Sequence, residues 1–340
     1  MGKNKKVGIA VIIVIIFIIL IFNANSKSNL IRQMQGPIEG TESVLTSGNN
    51  LIVISKNNHT FTWQWDNLRK WPMVAKPNAA FITPVFDNKI VYNLSNSGKL
   101  ILTDLKAEKE ISSLSLPYGS EPKRVKTSSN HNFGIVSFIE NDVLKLALFD
   151  SALKDLSIVF QKDTNEEKFT LNDFDITDGA DLIAGTGKKD KAWIFVKDIK
   201  NDKIVFEKTF DEYNQFTIVE FSPDGKTIYV AEKVRFILAL DSQTGAVVRI
   251  YEMPEYQTPA HQKQNISCLA ISPDNKVLAV DTEPACTIWF WDIASGKKID
   301  EIHASDLTVS DIAFSPDSKY LATGCLVSPE IKIWKVPQLK

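Results

Sequence analysis

Four histidines, His59, His131, His261 and His303, are the side chains best suited to proton transfer or metal binding near neutral pH. No two of them stand at metal-ligand spacing, and neither a phosphate loop nor a serine elbow occurs. The densest carboxylate run is NDFDITDGAD, from Asn172 to Asp181, where Asp173, Asp175 and Asp178 partly match a calcium loop. Gly179 comes one position late and no bidentate glutamate closes the loop. The better fit is structural: Thr177 to Ala180 stands in the register of a recurring turn, which makes these aspartates turn and strand-end residues. Three cysteines exclude a fully paired framework within one chain. Cys268, in ISCLAIS, reads as a small buried residue, while Cys286 and Cys325 leave one disulfide open in an oxidising compartment. The residues therefore predict no catalytic set, no metal and no cofactor. Charge is equally plain: the near-neutral balance of 39 basic against 41 acidic residues gives no electrostatic case for nucleic acid, which is not an expected partner.

The elements that position these residues are repeated. Phe216 to Tyr251 reads as four short strands: Phe216 to Phe221, Thr227 to Ala231, Phe236 to Leu240 and Ala246 to Tyr251. The polar turns between them are Ser222 to Lys226 and Asp241 to Gly245. Such a sheet cannot bury both faces alone. The chain supplies neighbours, because Ser-Pro-Asp recurs after Ile271 and Phe314. An apolar third strand closed by an acidic residue recurs at Asp66, Asp104, Asp150, Asp198, Asp241 and Asp292, with Lys335 in the seventh copy. The spacings are 38, 46, 48, 43, 51 and 43 residues. This rhythm predicts an all-β fold, a seven-bladed β-propeller of four-stranded antiparallel blades. Trp63, Trp65, Trp193, Trp289 and Trp334 fall on the third strands and are expected to pack between blades.

Trp291-Asp292, the Ser-Pro-Asp turns, Leu321-Ala-Thr-Gly324 and Ile331-Lys-Ile-Trp334 resemble the last two blades of a WD-repeat propeller. Runs such as TIYVAE are also similar to propellers with YVTN-like repeats. The family's Gly-His pair is only echoed by His303-Ala304, and its turn aspartate is missing from Thr282 to Cys286. The resemblance therefore implies a divergent member whose His, Ser/Thr, Asp and Trp hydrogen-bonded set is incomplete.

Lys3, Lys5 and Lys6 precede sixteen uncharged residues, Val7 to Phe22. As a helix this run spans roughly 24 Å, slightly short of a bilayer's hydrocarbon core. A cleaved signal peptide ending at Ser26 is one reading. An uncleaved anchor is favoured, because the run is long and lacks a helix breaker near its end. The lysines place the amino terminus in the cytoplasm and the propeller on the extracytoplasmic side of a single-pass membrane protein. The expected domains are a basic end over 1–6, a transmembrane signal-anchor helix over 7–24 and the propeller over 29–340. Leu30 to Met34 is expected to supply the strand missing from the carboxy-terminal blade, closing the ring and removing its exposed edges.

Binding residues are expected where loops decorate the rim. Met253 to Asn265 is the longest connection between blades and carries Tyr256 and His261. Trp71, in RKWPMV, stands where no repeat requires tryptophan. The expected function is a noncatalytic platform for an unidentified protein partner, held at the membrane, with no small-molecule ligand. The rival is a propeller enzyme of the lactonase or quinone-cofactor dehydrogenase sort, with its site in the central channel.

Overall fold

In the computed structural model, residues 29–339 are described except 38, 56–58, 70–72, 76–80, 86–88, 95–97, 105–106, 108, 118–119, 166–168, 255–263 and 306–307. The apolar run Val7 to Phe22 lies outside them, and among the described residues no helix is long and apolar enough to cross a membrane.

The strands fall into seven four-stranded antiparallel sheets. Blade 1 holds β2 (Thr41–Ser47), β3 (Asn50–Ser55), β4 (Thr60–Gln64) and β5 (Met73–Ala75). Blade 2 holds β6 (Phe81–Val85), β7 (Lys89–Leu94), β8 (Lys99–Asp104) and β9 (Lys109–Ser115). Blade 3 holds β10 (Glu121–Thr127), β11 (Phe133–Glu140), β12 (Val143–Asp150) and β13 (Ser157–Asp163). Blade 4 holds β14 (Phe169–Ile176), β15 (Leu182–Lys189), β16 (Lys191–Asp198) and β17 (Lys203–Phe210). Blade 5 holds β18 (Phe216–Phe221), β19 (Thr227–Glu232), β20 (Phe236–Asp241) and β21 (Val247–Glu252). Blade 6 holds β22 (Asn265–Ile271), β23 (Val277–Glu283), β24 (Thr287–Asp292) and β25 (Lys298–His303). Blade 7 joins β26 (Val309–Phe314), β27 (Tyr320–Cys325) and β28 (Glu330–Lys335) to β1 (Leu30–Gln35) from the other end of the chain. The expected closure is therefore present: Leu30 faces Trp334 and Gln35 faces Glu330.

Burial follows strand position. Second strands are apolar on both faces because neighbouring blades cover both, as in β19, where Ile228, Tyr229, Val230 and Ala231 are all buried. Fourth strands face solvent and alternate, as in β21, where Val248 is 58 % exposed and Tyr251 is 1 % exposed. The cores lie between sheets: Leu240 and Val219 pack with Ala184 and Phe206, joining blade 5 to blade 4.

Two recurrent turns have visible causes. In the first, Ser222 donates its hydroxyl to Asp224 Oδ1 (2.6 Å) while the Gly225 N–H closes on the Ser222 carbonyl (2.8 Å). Ser272 with Asp274 and Ser315 with Asp317 repeat this at 2.7 Å. Thr177 to Ala180 keeps the register, with the Ala180 N–H on the Thr177 carbonyl at 2.9 Å. In the second, the aspartate ending the third strand of blades 2 to 6 accepts N–H groups of the turn beyond it. Asp241 Oδ1 takes Thr244 N (2.8 Å), Asp198 Oδ1 takes Asn201 N (2.8 Å) and Asp292 Oδ1 takes Ala294 N (3.1 Å). Those bonds explain the ladder of acidic residues. Blade 1 departs from it: β4 stops at Gln64, and Trp65, expected on the strand, opens a 3-10 turn over Trp65–Asn67.

Ring closure demands one close approach. Gly40 has φ +93°, and a Cβ there would stand 2.2 Å from the Leu326 carbonyl oxygen of blade 7.

Candidate functional site

Trp71, Tyr256 and His261 all lie outside the described residues. The frame of the Met253–Asn265 loop is described. The Met253 N–H bonds the Arg235 carbonyl and the Ile266 N–H bonds the Lys233 carbonyl, both at 2.9 Å. Both feet of the loop thus stand on the hairpin between β19 and β20, where Val234 is 36 % exposed. Met253 is fully buried, so the loop leaves the ring from a fixed base.

The centre of the ring carries a set of charges. First strands converge there, and in six blades the strand slips register near its start, as between Leu171 and Asp173 or Val309 and Asp311. Such bulges re-aim the side chains that follow. In blade 3 those are Arg124 and Lys126, in blade 4 Asp173 and Asp175, in blade 5 Glu220 and in blade 7 Asp311. Asp173, 1 % exposed, takes Arg124 Nη1 on Oδ1 and Lys126 Nζ on Oδ2, each at 2.9 Å. Its Oδ2 also accepts the Val219 N–H (3.0 Å), and Asp175 Oδ2 accepts the Phe221 N–H (2.7 Å). Asp311 takes the Val44 N–H at 3.0 Å, across the junction where the ring closes.

These contacts correct the reading of Asp173 as a turn or strand-end residue and give a partner to Asp175, next to last in β14. Both sit inside β14, where they bind the backbone of the next blade. Asp178 turns elsewhere and accepts the Asn130 N–H at 2.7 Å. Among the described residues no group of three or more His, Cys, Asp or Glu is placed to hold a metal ion.

Burial dominates the electrostatics of this channel. It pushes the Glu220 carboxyl up to about 8, and Asp175 and Asp311 up to about 6, against the pull of Lys126. Burial works against the charge of Lys126 as well, but Asp173 and Asp175 more than offset it and hold its pKa above the ordinary value. Asp281 on β23 is pushed up to about 7 by burial, with Ser267 donating to its Oδ2 at 2.5 Å.

The remaining chemistry-bearing groups serve packing. His131, at φ +58°, faces the Thr46 carbonyl through Nε2 (2.6 Å), so that nitrogen carries the proton and Nδ1 accepts from the Thr127 hydroxyl (2.9 Å). The ring ties blade 3 to blade 1, and burial lowers its pKa. Cys268, Cys286 and Cys325 are free buried thiols. Cys286 lies in the hairpin just after β23, with φ +47°.

The channel set was missed in the sequence, although a signal existed. Charges within the first strands, which the repeat places at the centre of the ring, as in EPKRVKT, TLNDFDI and VSDIAF, mark residues that need buried partners.

In the last two blades the indole N–H of Trp289 donates to Thr282 Oγ1 (2.9 Å) and that of Trp334 to Thr323 Oγ1 (3.1 Å). Thus the Trp–Thr half of the expected hydrogen-bonded set is present. Residues 253–292 and 296–335 match the family model of the WD domain, G-beta repeat. A stretch of 131 residues is 26 % identical to the Periodic tryptophan protein 2 homolog of Dictyostelium discoideum, covering 38 % of this chain and 13 % of that protein. The β-propeller domain of Cps50 (Swd1) from Myceliophteria thermophila superposes with TM-score 0.68 at 14 % identity, over 91 % of this chain and all of that one. A chain of the mitotic checkpoint complex gives TM-score 0.70 at 15 % identity, over 92 % of this chain and 93 % of that one. The chain is a β-propeller whose last two blades match the WD repeat.

Proposed function

We propose that this propeller is a noncatalytic docking platform for another protein, held at a membrane by the run Val7 to Phe22. The observation that carries the platform reading is the contrast between interior and rim. Inside, Asp173, Asp175 and Asp311 are bound to lysine, arginine or backbone N–H groups, so they act as clamps rather than as acids or nucleophiles. On the rim, the longest inter-blade connection rises from a base hydrogen-bonded at both feet. A rigid scaffold bearing a long loop is the arrangement in which loops make contacts. One structural neighbour is a chain of the mitotic checkpoint complex, and membership of a complex fits the same use of the fold. The membrane reading rests on the sequence: basic residues before an apolar run, and none between it and Lys27.

The binding residues proposed are Tyr256 and His261 on the loop and Trp71 on blade 1. Replacing 255–263 by a Gly/Ser segment of equal length is expected to leave the melting temperature nearly unchanged. It is also expected to lower partner recovery, measured by cross-linking in native membranes, by about tenfold or more, a loss of ~1.4 kcal/mol. Undiminished recovery would remove the loop from the binding site.

A further inference from the structure

We propose that the face of the ring built from the Ser-Pro-Asp turns lies against lipid headgroups, with blades 6 and 7 nearest the bilayer and the Met253–Asn265 rim pointing away. This rests on the anchored reading above and adds an orientation to it. First strands run from the loop rim to the turn face, and third strands run the same way. β1 runs antiparallel to β28, with Leu30 opposite Trp334 and Gln35 opposite Glu330. The chain therefore enters the ring on the turn face.

Three hydrogen bonds fix where it enters. The Lys335 N–H binds the Asn29 carbonyl (2.7 Å), the Val336 N–H binds the Lys319 carbonyl (2.9 Å), and Asn29 Nδ2 donates to Asp300 Oδ2 of blade 6 (3.0 Å). Asn29 thus sits beside the Ser315–Lys319 turn. Only Asn23 to Ser28 separate it from Phe22, and that tether fully extended reaches about 20 Å. β1 itself rises about 20 Å from the turn face to the loop rim. To bring the loop rim onto the membrane the tether would have to run the height of the blade at full stretch. The turn face is the side it holds down.

Charge is unevenly spread over the turn face. Around Asn29, the exposed Lys276, Lys319, Lys297 and Lys335 balance Asp274, Asp292, Asp300 and Asp317, with Lys276 paired to Asp274 (3.5 Å) and Lys319 to Asp317 (3.1 Å). On the neighbouring arc of the same face, a cavity of about 620 Å³ between the turns of blades 4 and 5 is lined by Asp178, Asp181, Asp198, Asp224 and Asp241 with Lys226. Anionic headgroups are repelled by the second region and not by the balanced first one.

The test uses the full chain reconstituted into vesicles of phosphatidylcholine and phosphatidylglycerol carrying a headgroup-attached quencher. A fluorophore is placed on Lys297→Cys at the turn face or on Val327→Cys, 55 % exposed, at the loop rim. The unsubstituted chain, whose three thiols are buried, is the labelling control. Quenching of the Lys297→Cys label several-fold stronger than that of Val327→Cys is expected. Equal or reversed quenching on chains that float with the vesicles overturns the orientation alone. Chains that do not float overturn the anchored reading and the orientation with it.

Discussion

Glu220 faces Lys126, Asp175, Asp173 and Asp311 in the channel, and burial raises its carboxyl from 4.5 to about 8. Its folded-state pKa therefore lies above its unfolded value. Its contribution to stability is complete below about pH 4.5 and is lost as pH rises through about 8. Asp311 and Asp175, raised from 3.8 to about 6, act in the same sense over a lower window. His131 acts in the opposite sense, since its lowered pKa removes stability as pH falls below its ordinary titration range. Glu220→Gln cannot ionise. Thermal unfolding followed by circular dichroism should show the variant more stable than the parent at about pH 9, the gap closing by about pH 5. An equal gap at both pH values would show that the channel does not hold Glu220 protonated. Asp311→Ala removes the acceptor for the buried Val44 N–H and should cost about 1–3 kcal/mol in urea unfolding. A cost near zero would mean that the carboxylate does not help to close the ring. The sequence displayed these charges but not their partners, because Asp311 and Val44 are 267 residues apart.

Among the elements, β1 is the one whose role depends most on distant chain. Its Met34 is 7 % exposed and packs with Val44, Leu51, Ile331 and Ile333, where blade 7 meets blade 1. Met34→Ala should destabilise by about 2–5 kcal/mol, as for other buried side chains cut back to a methyl. A loss below about 1 kcal/mol in equilibrium urea unfolding would show that β1 is not part of the core. Strands and turns were largely legible, since Phe216–Phe221 agrees residue for residue and Thr177 to Ala180 keeps the turn register. TWQWD misled because an apolar run closed by an aspartate does not reveal whether its last residues extend or coil. There the chain winds into a 3-10 turn with the Trp65 N–H on the Asn49 carbonyl at 2.9 Å. The bulges near the starts of the first strands were invisible too, as they add one residue without changing composition.

For the whole molecule, the ring was legible because its causes repeat. Seven apolar third strands and several Ser-Pro-Asp turns set a period, and the strand order at Asn29 to Gln35 implied closure. The site was less so. A repeat specifies what all blades share, whereas binding depends on what one blade has alone, such as Tyr256, His261 and Trp71. The most direct test of a membrane-held platform is to recover the full-length chain from gently solubilised native membranes. Mass spectrometry then identifies its amino terminus and everything bound to it. An intact terminus at Met1 or Gly2 with a stoichiometric protein partner is the predicted result. A terminus at Lys27 with no partner would contradict both the anchor and the platform.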